Sequence, residues 1–169
     1  MQVKGEELLV KAPLRATDVQ IQDFLNKHDH WIRTHLDRAA KTRALADTMG
    51  FLSEEDIRRL AEQAKAYIPE RAAYYAAQMH VTYGRITIRN QRSRWGSCSA
   101  KGNLNFNCLL MLCPPQVIDS VVVHELAHRR EMNHSERFYE LVLQAFPEYR
   151  RWERWLKENG DVLLRRMTG

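Results

Sequence analysis

His124-Glu125-Leu126-Ala127-His128 places two imidazoles and a carboxylate at helical spacing, with a further histidine, His134, close behind. Side chains four apart on an α-helix share a face, so His124 and His128 can reach one ion. Glu125, turned about 100° from His124, can then reach a water on that ion. The chemistry this suggests is hydrolysis by a metal-activated water: zinc, one ion, bound by His124 and His128, with Glu125 as general base. The uncharged Leu126 and Ala127, and Val121-Val122-Val123 before the motif, suit a helix whose other face packs into a core.

A third ligand requires a break in the helix. In a continuous helix His134, six residues beyond His128, would lie about 240° around the axis, far from the ion. Asn133 is the predicted stopping point, since Asn tolerates the left-handed conformation found at helix ends. Asn133-His134-Ser135-Glu136 also reads as a capping box that opens a second helix with His134 in its first turn; Ser135 is the alternative cap. Glu131, Glu136 and Glu140 are rival ligands, and His134 is preferred because neutral imidazole is a common zinc ligand and this one adjoins the break.

The elements that must position these groups follow an α+β order. Residues 3–13 suit one or two short strands. Thr17-Asp18-Val19-Gln20 is a capping-box start for a helix carrying Ile21, Phe24, Leu25, Trp31, Ile32 and Leu36 on one side, with Gly50 as a terminator. Ser53 caps a second helix with Ile57, Leu60, Ala61, Ala64 and Ile68 at helical spacing; Pro69 kinks it or begins a separate helix running to Met79. Tyr74, Tyr75 and Met79 read as core, and His28, His30, His35 and His80 as surface or partly buried. Beyond Val81 the period becomes two. Arg85-Ile86-Thr87-Ile88-Arg89 and Asn103-Leu104-Asn105-Phe106-Asn107 alternate as strands, expected to pair antiparallel. Pro114-Pro115 opens the metal helix, Pro147 ends the next, and Gly160 is expected to end a last helix bearing Trp152, Trp155 and Leu156.

Length and composition suit one enzyme domain: 169 residues, 44% hydrophobic. It is expected to be mainly helical over residues 1–80, with a sheet and the metal-binding helices over 81–169. The opening residues lack the apolar run of a signal peptide, and no stretch approaches the ~20 apolar residues of a membrane span, so a cytoplasmic location is expected. Cys98, Cys108 and Cys113 form no CxxC pair and read as reduced thiols.

Arg94-Trp95-Gly96-Ser97-Cys98-Ser99, then Gly102, Leu104, Asn107 and Leu109, then the histidine motif and Asn133-His134-Ser135 with Phe138, resemble the YgjP-like (DUF45) metallopeptidases of bacteria and archaea. The resemblance covers most of the chain. It implies a zincin-like fold related to the M48 and SprT-type peptidases, a small antiparallel sheet packed on the active-site helix, zinc held by His124, His128 and His134, and Glu125 as catalytic acid/base. One departure is Arg129, where many members carry an apolar residue; it bears on helix packing.

The substrate stays open. Candidate binding residues are Arg92, Arg94, Asn105, Asn107, Tyr139 and Tyr149, with Arg94, Asn107, Tyr139 and Tyr149 as candidate oxyanion donors. Residues 103–107 or 92–98 could hold an extended peptide as an edge strand. Between Val81 and Ile118 stand Arg85, Arg89, Arg92, Arg94 and Lys101 and no acidic residue, a field that favours an anionic partner. Three readings follow. The first is a zinc metallopeptidase acting on peptide or protein. The second is a metal-dependent hydrolase of an anionic small molecule such as a nucleotide phosphate. The third, less favoured, is a zinc-stabilised module binding nucleic acid or protein without catalysis.

Overall fold

The computed structural model describes residues 1–4 and 7–167. The chain divides into two compact units, Met1–Gly50 and Phe51–Gly169. In the first, strands β1 (Gln2–Lys4) and β2 (Glu7–Leu9) pair antiparallel, with Val3 opposite Leu8. Residues 5–6, within the stretch expected to form strands, lie outside the described residues. Helix α1 (Asp18–Lys27) starts on the expected capping box: Thr17 accepts from the Gln20 N–H and the Gln20 side chain accepts from the Thr17 N–H. The single helix expected to carry residues 21–36 is broken at His28. There the backbone N–H turns to the Leu25 carbonyl, a ring nitrogen bonds the Phe24 carbonyl, and α2 (Asp29–Met49) begins afresh. Gly50, at φ 73°, terminates α2 as expected, in a conformation that costs glycine little.

The second unit is built on α3 (Glu54–Met79). Ser53 and Asp56 form its capping box, and Pro69 is absorbed within one unbroken helix. Leu60, Ala64, Ile68, Ala72, Tyr75, Ala76 and Met79 form its buried stripe, while Tyr74, expected in the core, stands 51% exposed. Tyr75 and Tyr74 are adjacent, so a helix that buries one turns the other about 100° toward solvent.

Strands β3 (Ile86–Arg89), β4 (Gly96–Cys98) and β5 (Leu104–Asn107) form a sheet in the order β3-β5-β4. The expected antiparallel pairing of the two alternating segments is incorrect: β3 and β5 run parallel, with Ile86 opposite Leu104. The cause is the intervening strand. Gly96-Ser97-Cys98 lacks the β-branched alternation of a strand, yet it pairs antiparallel with β5 through a tight turn at residues 99–103. Two reversals of direction leave β3 and β5 pointing the same way, and the sheet is mixed.

A 3-10 turn at Cys108–Leu112 leads into α4 (Pro115–Ala127), which opens with Pro115 at its first position. The Val121-Val122-Val123 run is tolerated despite its modest helix propensity because α4 is buried on nearly all sides. Its own Leu126 and the surrounding Phe106, Leu109 and Phe138 are among the fully buried side chains, each contributing about 1.5–3 kcal/mol by burial. α3 and α4 are also joined by a bidentate ion pair, Arg71 Nε and Nη2 to Asp119 Oδ1 and Oδ2 at 2.7 and 2.8 Å, with the Tyr75 hydroxyl donating to Asp119 at 3.2 Å.

α5 (Glu136–Ala145) and α6 (Tyr149–Arg165) complete the unit. α6 does not stop at Gly160 as expected; it continues five residues further. The missing side chain serves packing there: a Cβ at Gly160 would stand 3.0–3.2 Å from the Trp95 indole, which lies against this part of the helix. Among the described residues, no helix is long and apolar enough to cross a membrane. The architecture is α+β.

Candidate metal centre

α4 carries His124 and His128 on one face, their ring centroids 5.0 Å apart. The helix ends at Ala127, well before Asn133, and His128 is its cap residue in right-handed conformation. Asn133 is not the left-handed stop: among non-glycine residues described, only His80 has positive φ. The reversal is made by the backbone. The Arg129 and Arg130 N–H groups bond the Leu126 and Ala127 carbonyls, Glu131 N–H also reaches Ala127, and the Glu131 carbonyl turns back onto His128 Nδ1 at 3.0 Å. Ser135 is the cap of α5, accepting from the Phe138 N–H, so His134 precedes that helix instead of lying in its first turn.

This connection returns His134 to the other two histidines. The three imidazoles each offer a nitrogen, and these atoms lie within 4.8 Å of one another. His134 Nε2 stands 3.0 Å from His124 Nε2. Tetrahedral ligands at about 2.05 Å from zinc are about 3.3 Å apart, so the cluster is close to the required size. Phe138, fully buried, forms a floor with its ring centroid 4.7–4.9 Å from those of all three histidines.

The outer nitrogens are already engaged. His124 Nδ1 donates to the Tyr149 hydroxyl at 2.8 Å, and that hydroxyl donates to Glu153 Oε1 at 3.4 Å. With His128 Nδ1–H on the Glu131 carbonyl, both rings present a bare Nε2 lone pair to the shared space, the tautomer that metal ligation requires. Burial, reinforced by His128 and His134, lowers the His124 imidazole to about 4, and burial likewise lowers His128. Both are neutral at pH 7. The donor set of three imidazole nitrogens fits a divalent transition-metal ion.

Glu125 is buried, and burial pushes its carboxyl up to about 8. It faces Gly96 of β4: a Cβ there would meet Glu125 Oε1 at 2.6 Å and Cγ at 2.8 Å. The upstream Gly96 thus leaves room for the carboxyl of the histidine motif.

Residues 53–159 match the model of a family described as YgjP-like, metallopeptidase domain. The chain belongs to the YgjP-like metallopeptidase-domain family. It is 29% identical over 87 residues to the UTP pyrophosphatase of Escherichia coli (strain K12), covering 50% of this chain and 52% of that protein. The chain therefore matches about half the length of this curated relative. Among solved structures, the metallopeptidase zymogen of Pyrococcus abyssi abylysin aligns with a TM-score of 0.49 and 18% identity, over 54% of this chain and 93% of that one.

Within this YgjP-like domain the remaining sequence-predicted residues fall in different places. Asn107 is fully buried and its amide is fully used: Nδ2 donates to the Gln91 and Arg94 carbonyls at 2.6 and 2.9 Å, and Oδ1 accepts from the Leu109 N–H. It braces the loop before β4 and has no donor left for an oxyanion. Asn105 donates to Ser97 Oγ across the sheet at 3.2 Å. Arg92 and Arg94 are exposed in the β3–β4 loop, with no hydrogen bond or ion pair to the histidines. Tyr149 is 3% exposed and lies behind His124 rather than over the cluster. Burial and then the Glu153 carboxylate raise its phenol, keeping it a hydroxyl. Tyr139 is half-buried, its ring 6.4 Å from His134 and beneath the Arg150 guanidinium at 3.9 Å.

Sequence reasoning missed Arg150, which stacks on Tyr139, and Glu153, the carboxylate behind Tyr149. The spacing of Tyr149, Glu153 and Lys157 at intervals of four on one helix was the available signal; Lys157 Nζ lies 3.1 Å from Glu153 Oε1. Arg129, the departure from the family pattern, donates from Nε to the Thr82 carbonyl at 2.8 Å and lies over Gly102, tying the segment after α4 to the loop before β3 and to the β4–β5 turn.

Proposed function

We propose that this protein is a zinc-dependent hydrolase in which His124, His128 and His134 hold one ion and Glu125 is the general acid/base, with the peptide bond as its first substrate class. The observation that carries the reading is the pair of outer hydrogen bonds, Tyr149 on His124 and Glu131 on His128, which aim two bare nitrogens at the space His134 also faces. Bound there, a zinc ion supplies Lewis acidity, making a water acidic enough to lose its proton near neutral pH and polarising the bond to be broken.

The chain's own residues do the rest. Glu125, next to His124 on α4, takes a proton from the attacking water and returns it to the leaving group. A carboxyl raised toward neutrality by burial binds that proton more strongly than an ordinary glutamate, while a cation in the histidine cluster favours its ionised form at the start. Burial of Glu125 against Gly96 of β4 limits water around the carboxyl, which strengthens each electrostatic contact.

The sheet order supports a peptide. β5 is paired on both sides and can accept no further strand, which removes residues 103–107 from the two segments considered. β4 is an edge strand and carries the Gly96 that touches Glu125, so an extended chain along β4 would pass the carboxyl.

A second reading, hydrolysis of a nucleoside triphosphate, is favoured by Arg150. Its guanidinium sits over Tyr139, 3.5 Å from Glu153 Oε2, and would exchange that long contact for a phosphate; the Escherichia coli relative is named a UTP pyrophosphatase.

The test is to purify wild type and Glu125→Gln, quantify bound metal, and assay both against a peptide library, denatured protein and UTP. Glu125→Gln is expected to keep its metal and lose about 10²–10⁴ in rate. Wild-type rates in that variant would overturn the assignment, and the substrate turned over decides between peptide and phosphoanhydride.

A further inference from the structure

The sheet has two edges, and the one formed by β3 lies two strands, or about 10 Å, from the β4 edge that faces Glu125. A groove of about 560 Å³ runs between β3 and the part of α3 carrying Lys65 and Pro69. The backbone alternation of β3 is fixed by its neighbour. Leu104 N–H donates to the Arg85 carbonyl at 3.0 Å, and Arg85 N–H donates to Asn103 Oδ1 at 3.0 Å, so the backbone of Arg85 faces β5. By the two-residue period, Thr87 and Arg89 face β5 as well, and the N–H and C=O groups of Ile86 and Ile88 face the free edge.

Side chains follow the same period: Arg85, Thr87 and Arg89 share one face of the strand. Both arginines are exposed, and neither has an acidic partner among the described residues. Lys65 is held by Glu62 at 2.7 Å and adds less free charge. Arg85 and Arg89 are four residues, or about 13 Å of backbone, apart along the strand. Two carboxylates four residues apart on an extended chain match that spacing, and such a chain also satisfies the open backbone groups of Ile86 and Ile88.

We propose that the β3 edge is a docking site for an extended acidic peptide segment, which adds as a fourth strand with its carboxylates on Arg85 and Arg89. Backbone pairing supplies the strand geometry, and the arginines select acidic over basic sequence. The site is separate from the histidine cluster and does not depend on metal chemistry.

The experiment uses the full chain and a fluorescein-labelled eight-residue peptide of Val and Thr with Glu at two positions four apart, followed by fluorescence anisotropy at low salt, with peptide integrity checked by mass spectrometry. Binding is expected, weakened about tenfold by Arg85→Glu/Arg89→Glu, and lost when the two Glu become Lys. The same peptide N-methylated at alternate residues is expected to lose binding too, since it keeps its charge but not its N–H donors. Both arginines are exposed, so the double variant should keep its circular dichroism and its rate on a short substrate. Failure of the acidic peptide to bind, equal affinity in the double variant, or equal affinity of the N-methylated peptide would each overturn the proposal; the last would indicate attraction by charge alone.

Discussion

Gly96 and the Glu125 carboxyl are packed so closely that one added methyl group on Gly96 would stand 2.6 Å from Glu125 Oε1. A contact that short forces Glu125 or β4 to move. Gly96→Ala is therefore expected to lower kcat/KM by about 10²-fold while leaving bound metal at the wild-type level, because displacement of a reacting group by about 1 Å has that effect. Steady-state kinetics beside metal analysis checks it. An unchanged rate would show that Glu125 tolerates displacement and is not the positioned base.

Tyr149 bonds His124 through its hydroxyl, so Tyr149→Phe removes that bond and the longer one from the same hydroxyl to Glu153 while keeping the ring. Loss of such a partner to a ligating histidine typically costs 10–100-fold in metal affinity, and that range is expected here from competition with a chromophoric chelator. His134→Ala should weaken binding further by removing a ligand outright. If metal affinity in His134→Ala equals that of wild type, one of the carboxylates Glu131, Glu136 or Glu140 is the third ligand. Glu131 is the least suited, since its carboxylate is paired with Arg137 at 3.2 Å.

The Arg71–Asp119 pair tests what holds α4 to α3. Asp119→Ala leaves the Arg71 guanidinium without its bidentate partner and is expected to lower unfolding free energy by about 3 kcal/mol in urea titration. The Arg71→Ala/Asp119→Ala double variant should lose less than the sum of the two single changes, since it leaves no unpaired charge behind. Strict additivity would mean that the pair contributes no coupling.

The thiols offer a test of burial. Cys113 is buried and its thiol is pushed up to about 12, while burial also raises Cys108 and Cys98. A raised thiol pKa means less thiolate at any pH below it, and thiolate is the nucleophile. At pH 8, iodoacetamide should leave Cys108 and Cys113 unmodified in the native protein, label the half-exposed Cys98 slowly, and modify all three in denaturant. Peptide mapping distinguishes these outcomes, and rapid native labelling of Cys113 would contradict the packing of α4 against α6.

Several elements are legible in local residue order. The Thr17–Gln20 and Ser53–Asp56 capping boxes, the stop at Gly50 and the opening of α4 at Pro115 depend on groups within a few residues of one another. The spacing of His124 and His128 likewise follows from helix geometry alone. Glycines carry less reliable information: Gly50 ends a helix, whereas Gly160 lies within one because Trp95, far away in sequence, occupies the space beside it. The place of β4 in the sheet is hidden for a similar reason. Residues 92–98 are expected as a possible edge strand, but only pairing with β5 shows that β4 is a strand of this sheet, and its intervening reversal makes β3 and β5 parallel.

By itself the sequence determined the chemical groups: two imidazoles and a carboxylate at helical spacing, a third imidazole beyond a helix end, and an arginine-bearing alternating strand. These depend on backbone periodicity, which acts over a turn or two. Tertiary structure decided how those groups face one another. It returned His134 to within 3.0 Å of His124, placed Tyr149 behind the His124 ring instead of over the histidine cluster, committed the Asn107 amide to backbone carbonyls, and set Gly96 against Glu125. Each of these contacts joins residues ten or more positions apart, whose distance is fixed by the packing of α3, α4, α6 and the sheet around a shared core and not by any local preference of the chain.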